Sequence, residues 1–196
     1  MKRPVLLLLA AGASTRMRGA DKLLEEVGGM PLLARSAGEA LATGLEVIVA
    51  LSPDRPDRAR ALADLPLRRV VVADAGEGMA ASLRAAVAAA SAAAPLAVLL
   101  ADMPEITSGD IATLVGAFEA AGGERVMRAA SEDGQPGQPV IFPARLRPAL
   151  LALTGDAGGR DILRREEVVL VPLPGRRALT DLDTPEDFAA FRGGQA

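Results

Sequence analysis

The chain has 196 residues, half of them apolar, with a net charge of −3, four Phe, no Trp, no Tyr, no His and no Cys. This length suffices for one domain with a sizeable aliphatic core, and we treat 1–196 as one domain. The acidic charge and the missing aromatic platforms argue against nucleic-acid binding, and the missing His and Cys exclude His-based triads, thiolate nucleophiles, ordinary zinc sites and disulfides.

Apolar runs alternate with helical segments along most of the chain. We predict strands at 5–10, 46–51, 69–73, 96–101 and, less clearly, 125–130, with helices near 31–43, 54–63, 78–93 and 108–121. This alternation predicts an α/β fold, a Rossmann-like open doubly wound architecture whose sheet is mainly parallel. Such sheets bind ligands beyond the carboxyl ends of their strands, where the strand order reverses.

The alternation weakens after residue 130. The segment 134–139 predicts a turn-rich, small insertion before a short strand at 140–142. A late strand is expected at 168–173, and a final helix begins with Thr184 as its N-cap and Pro185 at its first position. We expect no membrane span and no secretion signal, and therefore a cytoplasmic protein.

The stretch 5–22, VLLLLAAGASTRMRGADK, carries the most information about function. A buried strand ends in a loop of small residues, where backbone N–H groups can bind anionic oxygens. Arg16 can hold two phosphate oxygens in a fork, and Lys22 adds a compact charge. The loop is neither a Walker A loop nor a G-x-G-x-x-G turn. It predicts a cradle for polyphosphate, although Arg and Lys are more often ordinary surface charges.

Asp102 follows the buried run 96–101 and precedes Met-Pro. It can serve as a Mg²⁺ ligand next to the proposed phosphates, or it can be an acid that starts a turn, and taken alone the residue favours neither. The neighbouring phosphate loop favours the metal. Asp183 has a stronger structural alternative, because the Thr-Pro-Glu-Asp cap explains the residues after it without any chemistry.

Six motifs in register resemble the MobA-like nucleotidyltransferases, and most closely the molybdenum cofactor cytidylyltransferases. The first is L-A-A-G-x-S-x-R-M from Leu9, with Lys22 six residues after Arg16. The others are G-M with S-L within 78–83, D-M-P at 102–104, G-Q-P-V-I-F at 137–142, G-D-x-G-x-R at 155–160 and D-x-D-T-P-E-D at 181–187. The resemblance implies the nucleotide-diphospho-sugar transferase type of fold.

The resemblance also implies roles for individual residues. Catalytic roles fall to Arg16, Lys22 and Asp102, and metal binding falls to Asp102 and Asp183, with Asp181 as a possible helper. Substrate binding falls to Leu9, Ala10, Ala11, Gly12, Arg16, Lys22, Asp74, Gly78 and Ser82 on the nucleotide side, and to Gly137, Pro139, Asp156, Gly158 and Arg160 on the acceptor side. Asp74 can equally be a turn acid, Arg160 a surface charge and Gly158 part of a flexible connector. Gln138 stands where relatives often have His or Asn.

The function implied is a Mg²⁺-dependent transfer of CMP from CTP to molybdopterin or its molybdenum-loaded form, with release of pyrophosphate. A molybdoenzyme or its chaperone is then a possible partner. Ala11, where guanylyl enzymes commonly have a second Gly, favours cytosine. Two alternatives stay open: another transferase of this fold, using GTP or a sugar or alcohol phosphate, and a non-catalytic nucleotide-binding chaperone.

Overall fold

A computed structural model describes residues 2–155 and 159–194. Its strands, in chain order, are β1 Val5–Ala10, β2 Glu26–Val27, β3 Met30–Pro31, β4 Val47–Leu51, β5 Arg68–Val71, β6 Leu96–Leu100, β7 Val126–Ala130, β8 Pro136–Phe142 and β9 Val168–Pro172. Its helices are α1 Leu32–Ala42, α2 Pro56–Ala61, α3 Met79–Ala89, α4 Ser108–Ala120, α5 Arg147–Leu151, α6 Arg160–Leu163 and α7 Pro185–Gly193. None of the described helices is long and apolar enough to cross a membrane.

A seven-stranded sheet forms the centre of the molecule, with the order β5-β4-β1-β6-β8-β7-β9. β1 is parallel to both β4 and β6, and β8 is antiparallel to its two neighbours. The mainly parallel, doubly wound sheet expected from the sequence is confirmed. The chain leaves β1 toward β4 and β5 and then returns to β6 on the other side, so the strand order reverses between β1 and β6. Ligand sites of open α/β sheets form at such a point.

Helices cover both faces of the sheet, and β1 contributes alternate side chains to each face. On one face, Leu6 and Leu8 belong to a core that includes Leu33 of α1, Phe118 of α4 and Phe188 of α7. On the other face, Val5, Leu7 and Leu9 belong to a core that includes Leu83 of α3, Leu150 of α5 and Ile162 of α6. All six residues of β1 are buried, which explains its uninterrupted apolar sequence.

The turn-rich insertion predicted at 134–139 is wrong in part, because residues 136–139 belong to β8. Proline cannot donate to a sheet ladder, so the two prolines of this segment read as turn signals. The strand tolerates them because Pro136 is its first residue and because the pairing with β7 is irregular between Arg128 and Ala130. The Arg128 guanidinium also bonds the Gly137 and Pro136 carbonyl oxygens at 2.9 and 3.3 Å.

Two helices begin with the same reciprocal hydrogen bonds. Thr107 caps α4 by accepting from the Asp110 N–H, and Thr184 caps α7 by accepting from the Asp187 N–H. In both, the acid at the third helical position bonds back to the cap residue's N–H, which satisfies donors that a helix end otherwise leaves free. The start of the last helix predicted at Thr184 and Pro185 is therefore confirmed.

Candidate functional site

The β1 loop, residues 11–22, begins at the carboxyl end of β1 and returns beside β6. Its middle is a single 3-10 turn, Thr15–Met17, whose Met17 is buried and anchors the loop to the core. Ser14 and Arg18 on either side have φ values of 56° and 53°, and they reverse the chain direction twice. Within the described residues, the N–H groups of Gly12, Ala13 and Ser14 donate no hydrogen bond. N–H groups without a partner are able to bind an anion, and the anion-binding role of this loop stays a prediction.

Lys22, at the end of this loop, joins two carboxylates from distant parts of the chain. Its Nζ lies 2.5 Å from Asp102 Oδ2 and 2.7 Å from Asp183 Oδ1, and these side chains are 13–15% exposed. Arg16 Nη2 lies 2.7 Å from Asp183 Oδ2, with its own side chain largely exposed. Arg16 and Lys22 of the β1 loop, Asp102 after β6 and Asp183 before α7 thus come from three separate segments and form one connected cluster.

Burial and neighbouring charges shift the pKa values of Lys22, Asp183 and Asp181. Burial would lower the pKa of Lys22, but the charges and hydrogen bonds of Asp102 and Asp183 raise it above its ordinary value. Burial likewise opposes ionisation of Asp183, but Lys22 and Arg16 hold its pKa below the usual range. Burial and the two neighbouring carboxylates raise the pKa of Asp181. The site therefore favours a charged Lys22 and an ionised Asp183, whereas Asp181 resists ionisation.

Backbone contacts bring the two acids to the same place. The Leu182 N–H donates to the Asp102 carbonyl oxygen at 3.0 Å, and so ties the segment before α7 to the end of β6. The Asp183 N–H donates to Asp187 Oδ2 at 3.1 Å, which makes Asp183 part of the cap of α7. The helix cap, which was the structural alternative to a functional role for Asp183, is thus present. The same cap positions the Asp183 carboxylate.

The cluster suits a hard divalent cation. Asp102 Oδ1 is buried and has no hydrogen-bond partner among the described residues. Mg²⁺ is commonly held by one or two carboxylates together with substrate phosphates and water, so Asp102 and Asp183 would be enough. Within the described residues, no three His, Cys, Asp or Glu side chains are placed to hold a metal without such help. The donor set therefore fits a cation that shares its ligands with a phosphate.

The first cavity has a volume of about 580 Å³ and lies between the β1 loop, the start of α3 and the acid cluster. Its walls include ten of the predicted site residues: Leu9, Ala10, Ala11, Gly12, Arg16, Lys22, Gly78, Ser82, Asp102 and Asp183. Gly78 has φ 117°, a backbone conformation that side chains disfavour, where the chain turns into α3. The phosphate loop, the acids and the proposed base-binding residues thus share one cavity.

The second cavity, of about 280 Å³, adjoins the first, because Leu9, Met79 and Leu100 line both. Its polar lining consists of Arg128, Gln138 and Arg160. Of these, the sequence predicted only Arg160 as a site residue and treated Gln138 as a point of difference from relatives. Gln138 Oε1 is buried without a partner among the described residues.

Arg128 is the functional candidate that the sequence reasoning missed. Burial and the positive charge of Arg160 lower the pKa of Arg128. Within residues 2–155 and 159–194, neither arginine makes an ion pair. A signal was available, since Arg128 is the one charged residue in a strand whose other residues are buried and apolar. Two guanidinium groups beside one cavity without a carboxylate favour an anionic ligand there.

Three predicted binding residues lie outside the walls of both cavities. Asp74 is exposed and precedes the 3-10 turn Ala75–Glu77, as expected of a turn acid. Gly137 is buried, and a Cβ added there would lie 1.9 Å from the Ala178 carbonyl oxygen, so its smallness serves packing. Pro139 is buried within β8. Asp156 and Gly158 lie outside the described residues.

The segment before Arg160 contacts the nucleotide side as well. The Ala80 N–H donates to the Gly155 carbonyl oxygen at 3.1 Å, and the Gly155 N–H donates to Glu77 Oε1 at 3.2 Å. Arg84 pairs with Glu77 and, with the Gly155 N–H, lowers the pKa of that acid to about 2. Gly155 is thus held beside the first cavity, while Arg160 lines the second.

Comparisons with known proteins agree with this geometry. Residues 6–169 match the MobA-like NTP transferase domain family. The chain is 30% identical to a nicotine blue oxidoreductase of Paenarthrobacter nicotinovorans, over 93% of both chains. It is 33% identical to a probable molybdenum cofactor guanylyltransferase of Haloferax mediterranei, over 66% of this chain and 61% of that one.

Solved structures share the fold of this chain. The crystal structure of Rv0371c from Mycobacterium tuberculosis H37Rv has a TM-score of 0.83 and 27% identity, with 97% of this chain and 98% of that chain covered. A structure of the same protein in complex with manganese has a TM-score of 0.78 and 25% identity, covering 96% and 97% of the two chains. The chain therefore belongs to the MobA-like family of nucleotidyltransferases.

Proposed function

We propose that this protein transfers CMP from CTP to a terminal phosphate of a molybdopterin-type acceptor, with Mg²⁺ bound by Asp102 and Asp183. The observation that carries the proposal is the contact of Lys22 with both carboxylates at the wall of the cavity that the β1 loop lines. The proposal assigns phosphate binding to the loop amides and the two cations, and metal binding to the two acids, and all of these groups border one cavity. A reaction that consumes a nucleoside triphosphate belongs in the cytoplasm, where such donors are made.

The chemistry requires alignment and charge neutralisation rather than a general base. A phosphate oxygen of the acceptor forms a bond to the α-phosphorus of CTP, and the bond from that phosphorus to the oxygen of the β-phosphate breaks, so that pyrophosphate leaves. An ionised phosphate is already a nucleophile, which agrees with a chain that has no His. When bound, Mg²⁺ neutralises charge on the phosphates. Lys22, Arg16 and the free amides of the β1 loop hold the outgoing pyrophosphate.

The second cavity supports an acceptor that carries a phosphate. Arg128 and Arg160 beside that space would bind its negative charge, and Gln138 Oε1 can accept a hydrogen bond from the body of the acceptor. Because the cavity adjoins the first along Leu9, Met79 and Leu100, an acceptor seated there can reach the donor. Alignment of two reactants in this way supplies a large part of the rate of such reactions.

The names of the relatives supply the competing functions. The Haloferax protein is named a guanylyltransferase, which keeps GTP as the alternative donor. The Paenarthrobacter protein is named an oxidoreductase, so a redox reaction has to be tested as well. The metal-binding acids and the lysine favour transfer, since hydride transfer does not need them. A non-catalytic chaperone would not need the acids either.

The direct test measures pyrophosphate release from CTP, GTP and ATP with Mg²⁺, with and without molybdopterin, and identifies the product by mass spectrometry. We expect release with CTP that depends on molybdopterin, and binding of CTP about tenfold or more tighter than that of GTP in calorimetric titration. Tighter binding of GTP would favour guanylyl transfer. Nucleotide binding without pyrophosphate release under any condition would contradict the transferase.

A further inference from the structure

Arg58 of α2 is completely buried and makes five hydrogen bonds, four of them to the loop that binds phosphate in the proposal above. Its exposed fraction is 0%. Nε and Nη2 form two bonds of 2.8 Å to the Asp21 carboxylate, and Nη1 bonds the Ala10 and Gly12 carbonyl oxygens at 2.7 and 2.8 Å. Nη2 also bonds Ser14 Oγ at 3.0 Å. Every N–H donor of the guanidinium is therefore used.

These bonds join the beginning of the β1 loop to its end. Ala10 and Gly12 lie where the loop leaves β1, and Asp21 immediately precedes Lys22. Asp21 Oδ1 also accepts a bond from the Leu23 N–H at 3.1 Å, so both neighbours of Lys22 belong to the network. From the same segment, Arg55 Nη2 bonds the Ala13 carbonyl oxygen at 2.7 Å.

The bonds fix the direction of the loop amides. In a planar trans peptide the C=O of one residue and the N–H of the next point to opposite sides. Because the carbonyls of Ala10, Gly12 and Ala13 turn toward α2, the N–H groups of Ala11, Ala13 and Ser14 turn away from it. Away from α2 lies the first cavity, whose wall the start of α3 completes from the other face of the sheet.

We propose that Arg58, paired with Asp21, is a positioning residue that aims the amides of the β1 loop and the Lys22 ammonium at the phosphates of the nucleotide. The inference rests on the proposed function only in that the ligand of the loop is a polyphosphate. Arg58 contacts no substrate, since it does not line either cavity. Its effect passes through the loop.

A role in stability alone would not call for this arrangement. Taking an arginine and an aspartate out of water is costly, and their mutual attraction compensates for that cost only when the geometry is good. Well-packed apolar residues can often replace such a pair. Apolar residues could pack α2 against the loop, but they could not orient carbonyl groups. The fork of Arg58 does orient them, because its donors have fixed directions.

The test compares Arg58→Lys and Arg58→Met with a matched control, Arg60→Met. Arg60 lies on the same helix, is exposed and pairs only with Asp57 among the described residues. Binding of pyrophosphate, CTP and cytidine is measured by calorimetry with Mg²⁺, together with the melting temperature. We expect Arg58→Lys to lose about tenfold or more in affinity for pyrophosphate and CTP, with cytidine affinity within about twofold, because only phosphate binding depends on aimed donors.

Equal losses for cytidine and pyrophosphate would assign Arg58 to general stability and overturn the proposal, as would unchanged pyrophosphate binding in a folded variant. Where the Arg58 variants do not fold, Arg55→Met decides: we expect a loss of a few-fold for pyrophosphate, and no loss would contradict the inference. Wild-type protein that binds pyrophosphate but makes no product would contradict the proposed function and leave this inference standing. Wild-type protein that binds neither pyrophosphate nor any triphosphate would contradict both.

Discussion

The two cavities are built differently. The β1 loop at the first cavity is held from behind by the Arg58–Asp21 pair and by Arg55: the carbonyl groups of Gly12 and Ala13 are bonded, and among the described residues the N–H groups of Gly12, Ala13 and Ser14 donate no hydrogen bond. The second cavity is lined by Arg128 and Arg160, for which the described residues offer no carboxylate partner. The loop at the first cavity is therefore held in place by the protein itself. The second cavity carries unbalanced positive charge, which an anionic ligand would neutralise.

This difference implies a division of labour in the proposed reaction. An organised loop can discriminate geometry, because displaced donors lose their hydrogen bonds. On the proposed function, the two arginines of the second cavity recognise the charge of the acceptor phosphate, and Arg128 is held beside β8 by its bonds to the Gly137 and Pro136 carbonyl oxygens. Variants on the two sides should therefore lose different steps of the reaction.

The largest effect is expected where the two sides meet, at Asp102. Asp102→Ala removes a proposed metal ligand and no core group, and Lys22 keeps its contact with Asp183. We expect the transfer rate to fall by on the order of 100-fold or more, because the site loses a preorganised electrostatic stabiliser. The measurement is pyrophosphate release under saturating CTP and Mg²⁺.

Asp64→Ala serves as the control for that variant, since Asp64 is exposed and far along the chain from the motifs. Circular dichroism verifies folding of both proteins. A rate for folded Asp102→Ala within a few-fold of the control would remove Asp102 from the metal site.

Lys22→Ala and Arg160→Ala should separate the donor side from the acceptor side. Lys22→Ala is expected to raise the apparent KM for the nucleotide and slow the loss of pyrophosphate. Arg160→Ala should leave CTP binding intact and weaken use of the acceptor, since losing one charge-assisted hydrogen bond costs roughly 1.5 to 3 kcal/mol, or about 10- to 100-fold in affinity. CTP titration without acceptor and transfer rates at saturating CTP measure the two effects separately.

Arg128→Gln tests the same separation of donor side and acceptor side, at a residue that the sequence did not reveal. It should resemble Arg160→Ala, with a smaller loss, because Gln can still bond the neighbouring carbonyl groups. If Arg160→Ala weakens CTP binding as much as Lys22→Ala does, Arg160 acts on the donor side, and the acceptor assignment fails. If Arg160→Ala changes neither quantity, Arg160 is a surface charge.

The smallest effect concerns the two capping threonines, which form a matched pair. Thr107→Ala and Thr184→Ala each remove one capping box, and each should lower stability by about 1 kcal/mol, or roughly 2–4 °C in Tm. Only Thr184 adjoins Asp183, whose N–H bonds the same Asp187. We therefore expect Thr184→Ala alone to slow transfer, by a few-fold. Equal rates in the two variants would show that the cap does not position Asp183.

The sequence predicted the sheet and the first cavity well, for a physical reason. β1 and β6 are buried on both faces and therefore read as uninterrupted apolar runs, and the small residues and cations after β1 lie within one short segment. Asp102 was selected because it follows a buried strand beside the phosphate loop, whereas Asp183 was selected from the resemblance to the family, since its own pattern indicated only a helix cap. The roles of these residues stay predictions, since the geometry shows contact and not chemistry.

What the sequence did not reveal depends on contacts between distant residues. Arg58 lies in a short helix rich in arginine, and nothing in its spacing distinguishes it from the exposed Arg60. Arg128 joins the second cavity only because β7 pairs with β8, which itself contains prolines typical of a turn. Neither Gly137 nor Pro139 lines either of the two cavities, although Val140 and Phe142 of the same motif line the second one. Such residues become visible only when the strand order is known.

The hydrogen bond between Leu182 and Asp102 joins a late segment of the chain to an earlier one, and this bears on when the site is completed during synthesis. On the ribosome, the β1 loop, α2 and Asp102 are synthesised long before Asp183. A nascent chain holds only one of the two carboxylates until the segment 181–187 has emerged and joined the end of β6. On the proposed function, translation therefore completes the metal site last.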